Sequence, residues 1–275
     1  MPLQPTANSQ QPFSLSLTFL GTGTSHGVPV IGCSCVVCTS TDPRDQRMRT
    51  SVLIGTPTHQ ILIDTTPDLR TQCLREKIKR VDAVLFTHPH TDHVMGFDDV
   101  RRFCEMQDIA MPIYASSFTM EKLREAFRFA FDDPKPWKNY LRLEPHLIEG
   151  SFKLGDLEII PISLPHGKMT VLGYVFQYQE KKLLAYYTDC QEVPEAALEA
   201  AFGVKVLVLD ALREEYHPTH LNFEGALAAA ASINAETTYF IHFTHDISHA
   251  KKEAELPANI RLAYDGLKVK IDLRK

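Results

Sequence analysis

The residues of this chain most able to do chemistry are three histidines and an aspartate that follow one apolar stretch. The run after residues 81–86 reads Thr-His-Pro-His-Thr-Asp-His and supplies His88, His90, Asp92 and His93. Imidazole nitrogens and carboxylate oxygens are ligands for Zn, Mn or Fe. In an extended segment His88 and His90 point the same way, so they can share one ion while Asp92 and His93 turn toward a second. The run predicts a dinuclear metal site where a buried strand ends.

Three later predicted strands also end in side chains that can bind a metal ion. His166 follows residues 160–165, Asp189 follows residues 184–188 and His242 follows residues 238–241. A lone histidine at a strand end is usually an ordinary residue, but recurrence beside the histidine-rich run indicates one shared site. Asp64 ends another predicted strand, and it either orients a ligand histidine or is only a turn residue.

Three cysteines, Cys33, Cys35 and Cys38, lie within six residues of one another, and a cluster of this spacing indicates metal rather than disulfides in a chain without an export signal. Such a cluster needs a fourth ligand to complete a tetrahedral site. Cys73, Cys104 and Cys190 are isolated in apolar or helical contexts and are interpreted as packing thiols.

Length and composition indicate an enzyme of one domain. The chain has 275 residues with 44% hydrophobic and 23% charged residues, and its net charge of -5 gives no general attraction for nucleic acid. Residues 1–12 are polar and contain proline, which predicts a flexible N-terminus before a single domain at 13–275. No window resembles a signal peptide or approaches the ~18 apolar residues of a membrane span, so we expect a cytoplasmic protein without a membrane partner.

Periodicity predicts two β-rich halves flanked by helices, in which the sheets pack between helical layers. The predicted helices cover residues 68–79, 97–107, 119–131, 195–202 and 224–233. The predicted strands include residues 15–20, 51–54, 60–64, 81–86, 112–114, 152–154, 157–162, 174–178, 183–188, 206–210, 238–242, 260–263 and 268–271.

The histidine-rich run, followed by a separate His, Asp and His, resembles the pattern of the metallo-β-lactamase superfamily. The resemblance implies an α/β fold, the four-layer αββα sandwich. It also implies that His88, His90 and His166 bind one ion, that Asp92, His93 and His242 bind another, and that Asp189 bridges them. A hydroxide between the two ions, Zn or Mn, would then be the nucleophile.

Within the superfamily the chain resembles the phosphoribosyl cyclic phosphate phosphodiesterases of the phosphonate-degrading pathway. The likeness lies in residues 21–23, 27–29, 32–38 and 242–245. In that family the second histidine of the last segment completes a structural zinc site, which here implies Cys33, Cys35, Cys38 and His245. His249 is a competing ligand four residues further on, and we favour His245.

The segment at 217–222 resembles the one that carries the family's catalytic histidine, and His220 fits that pattern better than His217. The resemblance implies that His220 is the general acid, with Asp92 as the other catalytic residue. Arg47 and Arg49, near the cysteine loop, could bind a distal phosphate, and His26 in the glycine-rich loop could touch the substrate.

These features predict a metal-dependent phosphodiesterase that hydrolyses a small cyclic phosphodiester such as 5-phosphoribosyl 1,2-cyclic phosphate. One alternative is a nucleotide phosphodiesterase of the transfer-RNA 3′-end endonuclease type, although the segment between His166 and Asp189 is too short for an RNA-gripping arm. A second alternative is a non-catalytic or cofactor-biosynthesis member of the superfamily. Relatives of this kind are often dimers, so the sequence leaves a homodimer open.

Overall fold

Two mixed β-sheets form the centre of the computed structural model, which describes residues 13–132 and 140–273. The first sheet has the strand order β14-β1-β2-β3-β4-β5-β6 and the second β13-β12-β11-β10-β9-β8-β7. The first sheet consists of β1 (Ser14–Gly21), β2 (Ser51–Gly55), β3 (Gln60–Ile63), β4 (Ala83–Leu85), β5 (Met111–Ala115), β6 (Leu143–Leu147) and β14 (Lys268–Asp272). The second consists of β7 (Phe152–Leu154), β8 (Leu157–His166), β9 (Met169–Tyr178), β10 (Lys181–Tyr187), β11 (Val206–Asp210), β12 (Thr237–Ile241) and β13 (Ile260–Leu262).

Helices cover the outer face of each sheet. They are α1 (Leu69–Glu76), α2 (Thr91–Val94), α3 (Arg101–Gln107), α4 (Ser117–Ala126), α5 (Arg128–Phe131), α6 (Glu195–Ala201), α7 (Phe223–Ile233) and α8 (His249–Glu253). The layer order is therefore αββα, which confirms the predicted fold class. No helix among the described residues is long and apolar enough to cross a membrane.

Side-chain alternation along the strands places the central core between the sheets. Leu15, Leu17 and Phe19 of β1 are fully buried there and share a cluster with Tyr174 and Tyr186 of the second sheet. The opposite faces of the strands pack on the helices, so each strand of the interior is apolar on both sides. This burial explains why the predicted strands were recognisable as apolar stretches.

Two predicted helices and one unpredicted strand are the main differences between the prediction and the structure. The helix predicted at 97–107 begins as a 3₁₀ turn, Phe97–Val100, before α3, and the helix predicted at 119–131 is interrupted at Phe127. Strand β6 was not predicted, since Pro145 disfavours a strand except at an edge, which is where β6 lies. The prediction about residues 1–12 falls outside the described residues, and a single domain at 13–275 stays a prediction.

A close backbone contact seats α2 against the loop that follows β3. Thr65 N–H donates to His93 O at 2.7 Å, and Gly96 N–H donates to Thr65 O at 2.9 Å. A Cβ on Gly96 would lie 1.9 Å from Thr66 O, so only glycine allows the two backbones to approach this closely.

We therefore expect Gly96→Ala to lower the free energy of unfolding by about 2 kcal/mol or more, because the added Cβ must push the two segments apart. Chemical denaturation of metal-loaded protein would measure the change. Gly150→Ala is the matched control, because no atom lies within 4 Å of its added Cβ. Equal stability of the two variants would contradict the packing argument.

Candidate active site

The ends of four strands converge at one edge of the sandwich and bring the predicted site residues together. His88 and His90 follow β4, and Asp92 and His93 lie in α2 directly after them. The remaining residues are His166 at the end of β8, Asp189 after β10 and His242 after β12. All seven side chains predicted to bind the active-site metals fall into two adjoining groups, His88, His90 and His166, and Asp92, His93, Asp189 and His242.

Three residues at these strand ends have a left-handed backbone. The φ angles are 62° at Asp64, 52° at Asp189 and 64° at His242. Non-glycine residues rarely adopt this region, and they keep it where the surrounding structure enforces it, often at functional sites. Here the conformation ends each strand abruptly. Asp189 and His242 belong to the second group, and Asp64, after β3, contacts His93 of that group.

The first group is built from nitrogens that converge on one point. His88 Nε2 lies 3.0 Å from His90 Nδ1, and the three donor nitrogens of His88, His90 and His166 lie within 4.8 Å of one another. His88 and His166 are buried, whereas His90 is exposed. An opening toward solvent at His90 leaves room for a ligand in addition to the protein side chains.

The second group shares Asp189 with the first. His93 Nε2 is 3.3 Å from Asp92 Oδ2 and 3.4 Å from Asp189 Oδ1. Asp189 Oδ2 lies 3.4 Å from His242 Nε2 and 3.8 Å from His88 Nε2 of the first group. One carboxylate oxygen therefore stands between the two groups, the position that a bridging ligand requires.

The donor set fits divalent metal ions. Among the described residues, His93 Nε2 and His242 Nε2 are buried without a hydrogen-bond partner. An unpaired buried polar atom costs free energy, and a coordinated ion removes that cost. The separations of 3.3 to 3.9 Å that join His93 and His242 to Asp92 and Asp189 are close to the edges of a coordination polyhedron with bonds of about 2.1 Å.

The second ring nitrogens of His93 and His166 are held by neighbouring groups. Asp64 Oδ2 lies 2.8 Å from His93 Nδ1, and Asp64 also accepts the backbone N–H and the hydroxyl of Thr87 at 2.8 Å each. His166 Nδ1 lies 2.8 Å from Thr219 O, so it donates there and leaves Nε2 for a metal. Of the two readings of Asp64, the geometry matches the one that orients a ligand histidine.

His220 stands at the rim of the two groups. Its ring centroid is 4.8 Å from that of His166 and 4.9 Å from that of His242. His220 Nδ1 lies 2.8 Å from the buried carboxylate oxygen Oδ2 of Asp210. Burial opposes protonation, but Asp210 outweighs it and raises the pKa of His220 to about 9, so the imidazole is a proton donor at neutral pH.

Asp210 is the residue that our sequence reasoning missed. It ends β11, which was predicted with this boundary, and it is fully buried against His220 and His242. The same signal that pointed to Asp189, a carboxylate at the end of an apolar strand, was present at Asp210. His217 was also passed over, although its ring lies 5.1 Å from that of His220.

The cysteines meet His245 and not His249. His245 Nδ1 lies 3.3 Å from Cys33 Sγ, 3.4 Å from Cys35 Sγ and 3.5 Å from Cys38 Sγ. A tetrahedral zinc with typical Zn–S and Zn–N bonds separates such atoms by about 3.6 Å. The four side chains therefore fit a closed structural zinc site.

The structure contradicts the interpretation of Arg47 as a phosphate ligand. Its side chain is inaccessible and donates to Asp45, to Thr244 O at 3.0 Å and to Ile247 O at 2.6 Å. These hydrogen bonds occupy guanidinium N–H donors of Arg47 and hold the backbone on both sides of His245. Arg47 therefore supports the segment that carries the zinc ligand, a role that spacing alone does not reveal.

Arg49 and His26 lie on the wall of one cavity of about 450 Å³. His26 is exposed, and Arg49 donates to Ser25 O at 3.1 Å and to Asp68 at 2.9 Å. The glycine-rich loop contributes His26 and Gly27 to the wall of this cavity. In the same loop, Thr22 O accepts the backbone N–H of His242 at 2.8 Å. Both residues keep access to a ligand, unlike Arg47.

The comparisons agree with this fold and site. The family model described as a beta-lactamase superfamily domain matches residues 59–243, so the chain belongs to that superfamily. A solved diphosphatase of the PhnP family is 40% identical, with a TM-score of 0.86, over 94% of this chain and 99% of the other. Together these relations identify a metal-dependent hydrolase of the metallo-β-lactamase fold, similar to the PhnP family.

Two further matches differ more from this chain, one in sequence and one in length. Zinc-bound PqqB from Methylobacterium extorquens has the same fold, with a TM-score of 0.76 and 19% identity over 92% of this chain and 99% of that one. A Porphyromonas gingivalis protein named octanoyltransferase is 36% identical over 257 residues. That match covers 92% of this chain but 51% of the relative, so the chain spans about half the length of that relative.

We expect Cys38→Ser to remove one zinc ion per chain and to lower the thermal unfolding midpoint, because the closed site stabilises the loop around it. Metal analysis and calorimetry would measure both effects. Cys73→Ser, at a half-buried thiol outside the cluster, is the control. An unchanged zinc content in Cys38→Ser would show that these side chains do not bind the ion.

His249 predicts a pH dependence of stability. The ring is buried with both nitrogens unpaired among the described residues, and burial, with Arg44 and Arg47 nearby, lowers its pKa to about 4 from an ordinary 6.5. Between these values the unfolded chain binds a proton that the folded chain does not, so stability is lost as the pH falls from 6.5 toward 4.

His249→Phe should remove this contribution. Urea unfolding at pH 7.5 and at pH 5 would measure how much the free energy of unfolding decreases between the two pH values. We expect this decrease to be about 2 kcal/mol smaller in the variant than in the unmodified protein. Because both proteins keep the other titrating groups, the difference isolates His249. Parallel pH dependences would contradict the assignment.

Proposed function

We propose that this chain is a dinuclear metal-dependent phosphodiesterase that hydrolyses a small cyclic phosphodiester such as 5-phosphoribosyl 1,2-cyclic phosphate. The observation that carries the proposal is the position of Asp189 Oδ2 between His88 Nε2 and His242 Nε2, with His220 at the rim. Paired divalent ions with a nearby acid suit the in-line displacement at phosphorus.

The residues that would hold the ions follow from the two groups. His88, His90 and His166 would hold one, and Asp92, His93 and His242 the other, with Asp189 reaching both. Bound Zn or Mn would lower the pKa of a coordinated water and neutralise charge on the phosphoryl oxygens. Asp64 and Thr219 O keep the histidines in the tautomers that this binding needs.

His220 would protonate the leaving oxygen. Asp210 Oδ2 fixes its Nδ1, so the opposite nitrogen, Nε2, is the one that can reach a substrate. A sugar alkoxide departs slowly unless it is protonated, so proton transfer from an oriented imidazole would contribute substantially to the rate. Asp210 acts through His220 and is a positioning residue.

The surroundings of the site favour a small substrate over RNA. Strands β9 and β10 form a hairpin with only Gln179 and Glu180 between them, so no extended arm lies between His166 and Asp189. The net charge of -5 lacks a basic footprint for a polynucleotide. The cavity at His26 and Arg49 offers a separate place for a distal phosphate, and we propose that Arg49 contacts it.

Diphosphate hydrolysis is the second candidate, because the 40% identical PhnP-family structure is named a diphosphatase. The same ions and acid would serve attack on either kind of phosphorus. A non-catalytic role is disfavoured, since the seven side chains predicted to bind the active-site ions are all present in two adjoining groups. Octanoyl transfer is not proposed, because the name belongs to a relative twice as long.

The experiment is a comparison of initial rates with Mn- and Zn-loaded protein. The substrates are 5-phosphoribosyl 1,2-cyclic phosphate, a 2′,3′-cyclic nucleotide, a nucleoside diphosphate and a precursor transfer RNA. We expect the highest kcat/KM with the cyclic ribosyl phosphate. Preference for the diphosphate selects the second candidate, and processing of RNA alone overturns the argument from charge and arm length.

His220→Ala should lower kcat by about 10²-fold while both ions stay bound, because the acid is lost and the ligands are not. Asp210→Asn should cause a smaller loss, since the imidazole remains but is oriented less strictly. Metal analysis and steady-state kinetics separate the two effects. The loss should shrink with a 4-nitrophenyl ester, whose leaving group needs no proton, and unchanged turnover of the sugar substrate would contradict the role.

A further inference from the structure

The loop between β11 and α7 is closed at its base and faces the site at its tip. Leu212 N–H donates to Leu221 O at 2.8 Å, and Phe223 N–H donates to Arg213 O at 3.0 Å. Arg213 also donates to Tyr216 O at 3.1 Å within the loop. These bonds hold residues 213–220 in one conformation, so the side chains at the tip are placed before a substrate arrives.

His217 lies at this tip beside the proposed acid. Its ring centroid is 5.1 Å from that of His220, which in turn is 4.8 Å from that of His166. The ring is half-buried, so part of it is accessible beside His220. A leaving oxygen protonated by His220 would bring its own sugar within reach of His217.

The hydrogen bonds of His217 define its tautomer. Thr219 N–H donates to His217 Nδ1 at 3.4 Å, and Thr219 Oγ1 lies 3.2 Å from the same nitrogen. Nδ1 is therefore an acceptor, and in the neutral ring the proton is on Nε2. No described residue pairs with His217 Nε2, so this N–H is available to a ligand.

The charges around the tip favour a neutral partner for that N–H. Burial, with the neighbouring His220 and Arg213, lowers the pKa of His217, so the ring is uncharged at neutral pH. Glu214 is paired with Lys252, and the loop also carries the exposed carboxylate of Glu215 and the cation Arg213, so it has no excess of positive charge for an anion. A sugar hydroxyl accepts a hydrogen bond from the neutral ring without adding a charge to the loop.

We propose that His217 is a substrate-binding residue whose Nε2–H donates to a hydroxyl oxygen on the sugar that carries the leaving oxygen. The inference rests on the proposed function and deepens it, because it makes the site selective for hydroxyl-bearing sugar phosphodiesters over aryl ones. His220 handles the leaving oxygen, and His217 binds the sugar next to it.

The test compares His217→Phe, which keeps a ring without a donor, with His217→Gln, which keeps an amide N–H. The substrates are 5-phosphoribosyl 1,2-cyclic phosphate and bis(4-nitrophenyl) phosphate, whose leaving group has no hydroxyl. One lost hydrogen bond predicts that kcat/KM for the sugar substrate falls about tenfold more than for the aryl ester in His217→Phe, mainly through KM. His217→Gln should recover part of that ratio.

Equal losses with the two substrates would overturn the inference, since a structural disturbance of the loop affects both. His59→Phe is the control, because half-buried His59 contacts Thr58 away from the loop. If the unmodified protein hydrolyses the aryl ester but no cyclic sugar phosphate, the proposed substrate is wrong. His217 is then tested by inhibition of aryl hydrolysis with ribose 1-phosphate, and an inhibition constant unchanged in His217→Phe overturns the inference.

Discussion

The burial of several ionisable side chains around one site is the constraint on which the rest of this structure depends. His93 and His242 each hold a buried Nε2 that makes no hydrogen bond with a described residue, and the buried carboxylate of Asp189 lies 3.4 Å from each nitrogen. Such an arrangement is costly unless cations complete it. Bound ions would therefore contribute to folding as well as to chemistry.

The rigidity of the ligands comes from groups behind them. The buried carboxylate of Asp64 accepts three hydrogen bonds, two from Thr87 and one from His93. Because Thr87 immediately precedes His88, these bonds connect ligands from both metal groups to the end of β3. A change at Asp64 would therefore alter both groups together, although the residue touches no substrate.

Much of the fold and of the metal site could be predicted from the sequence, for a physical reason. Strands buried on both faces are apolar throughout, so a polar residue that ends such a strand is conspicuous, as at His88, Asp189 and His242. Asp210 also ends an apolar strand, but no histidine-rich run lies beside it in the sequence to mark it as part of a site.

Contacts made between distant segments could not be predicted in this way. Nothing near Arg47 in sequence shows that its guanidinium is buried under Thr244 and Ile247, about two hundred residues away. The hydrogen bond from His166 to Thr219 O uses a backbone carbonyl, which has no side-chain signal. The tautomer of His217 depends on Thr219 and on the closure of its loop, and both are consequences of tertiary structure.

The fold and the choice of substrate depend on different parts of the chain. The predicted metal ligands lie at strand ends or in α2, which follows β4 directly, where the sheets fix their positions. The groups that we propose bind a substrate, His26, Arg49 and His217, lie outside the strands and helices or, at Arg49, just before β2. A relative that shares the sheets can thus keep the ions and the displacement at phosphorus while its loops select another leaving group. The 40% identical diphosphatase shares the fold, so the choice that we propose between a cyclic diester and a diphosphate rests on the loop residues.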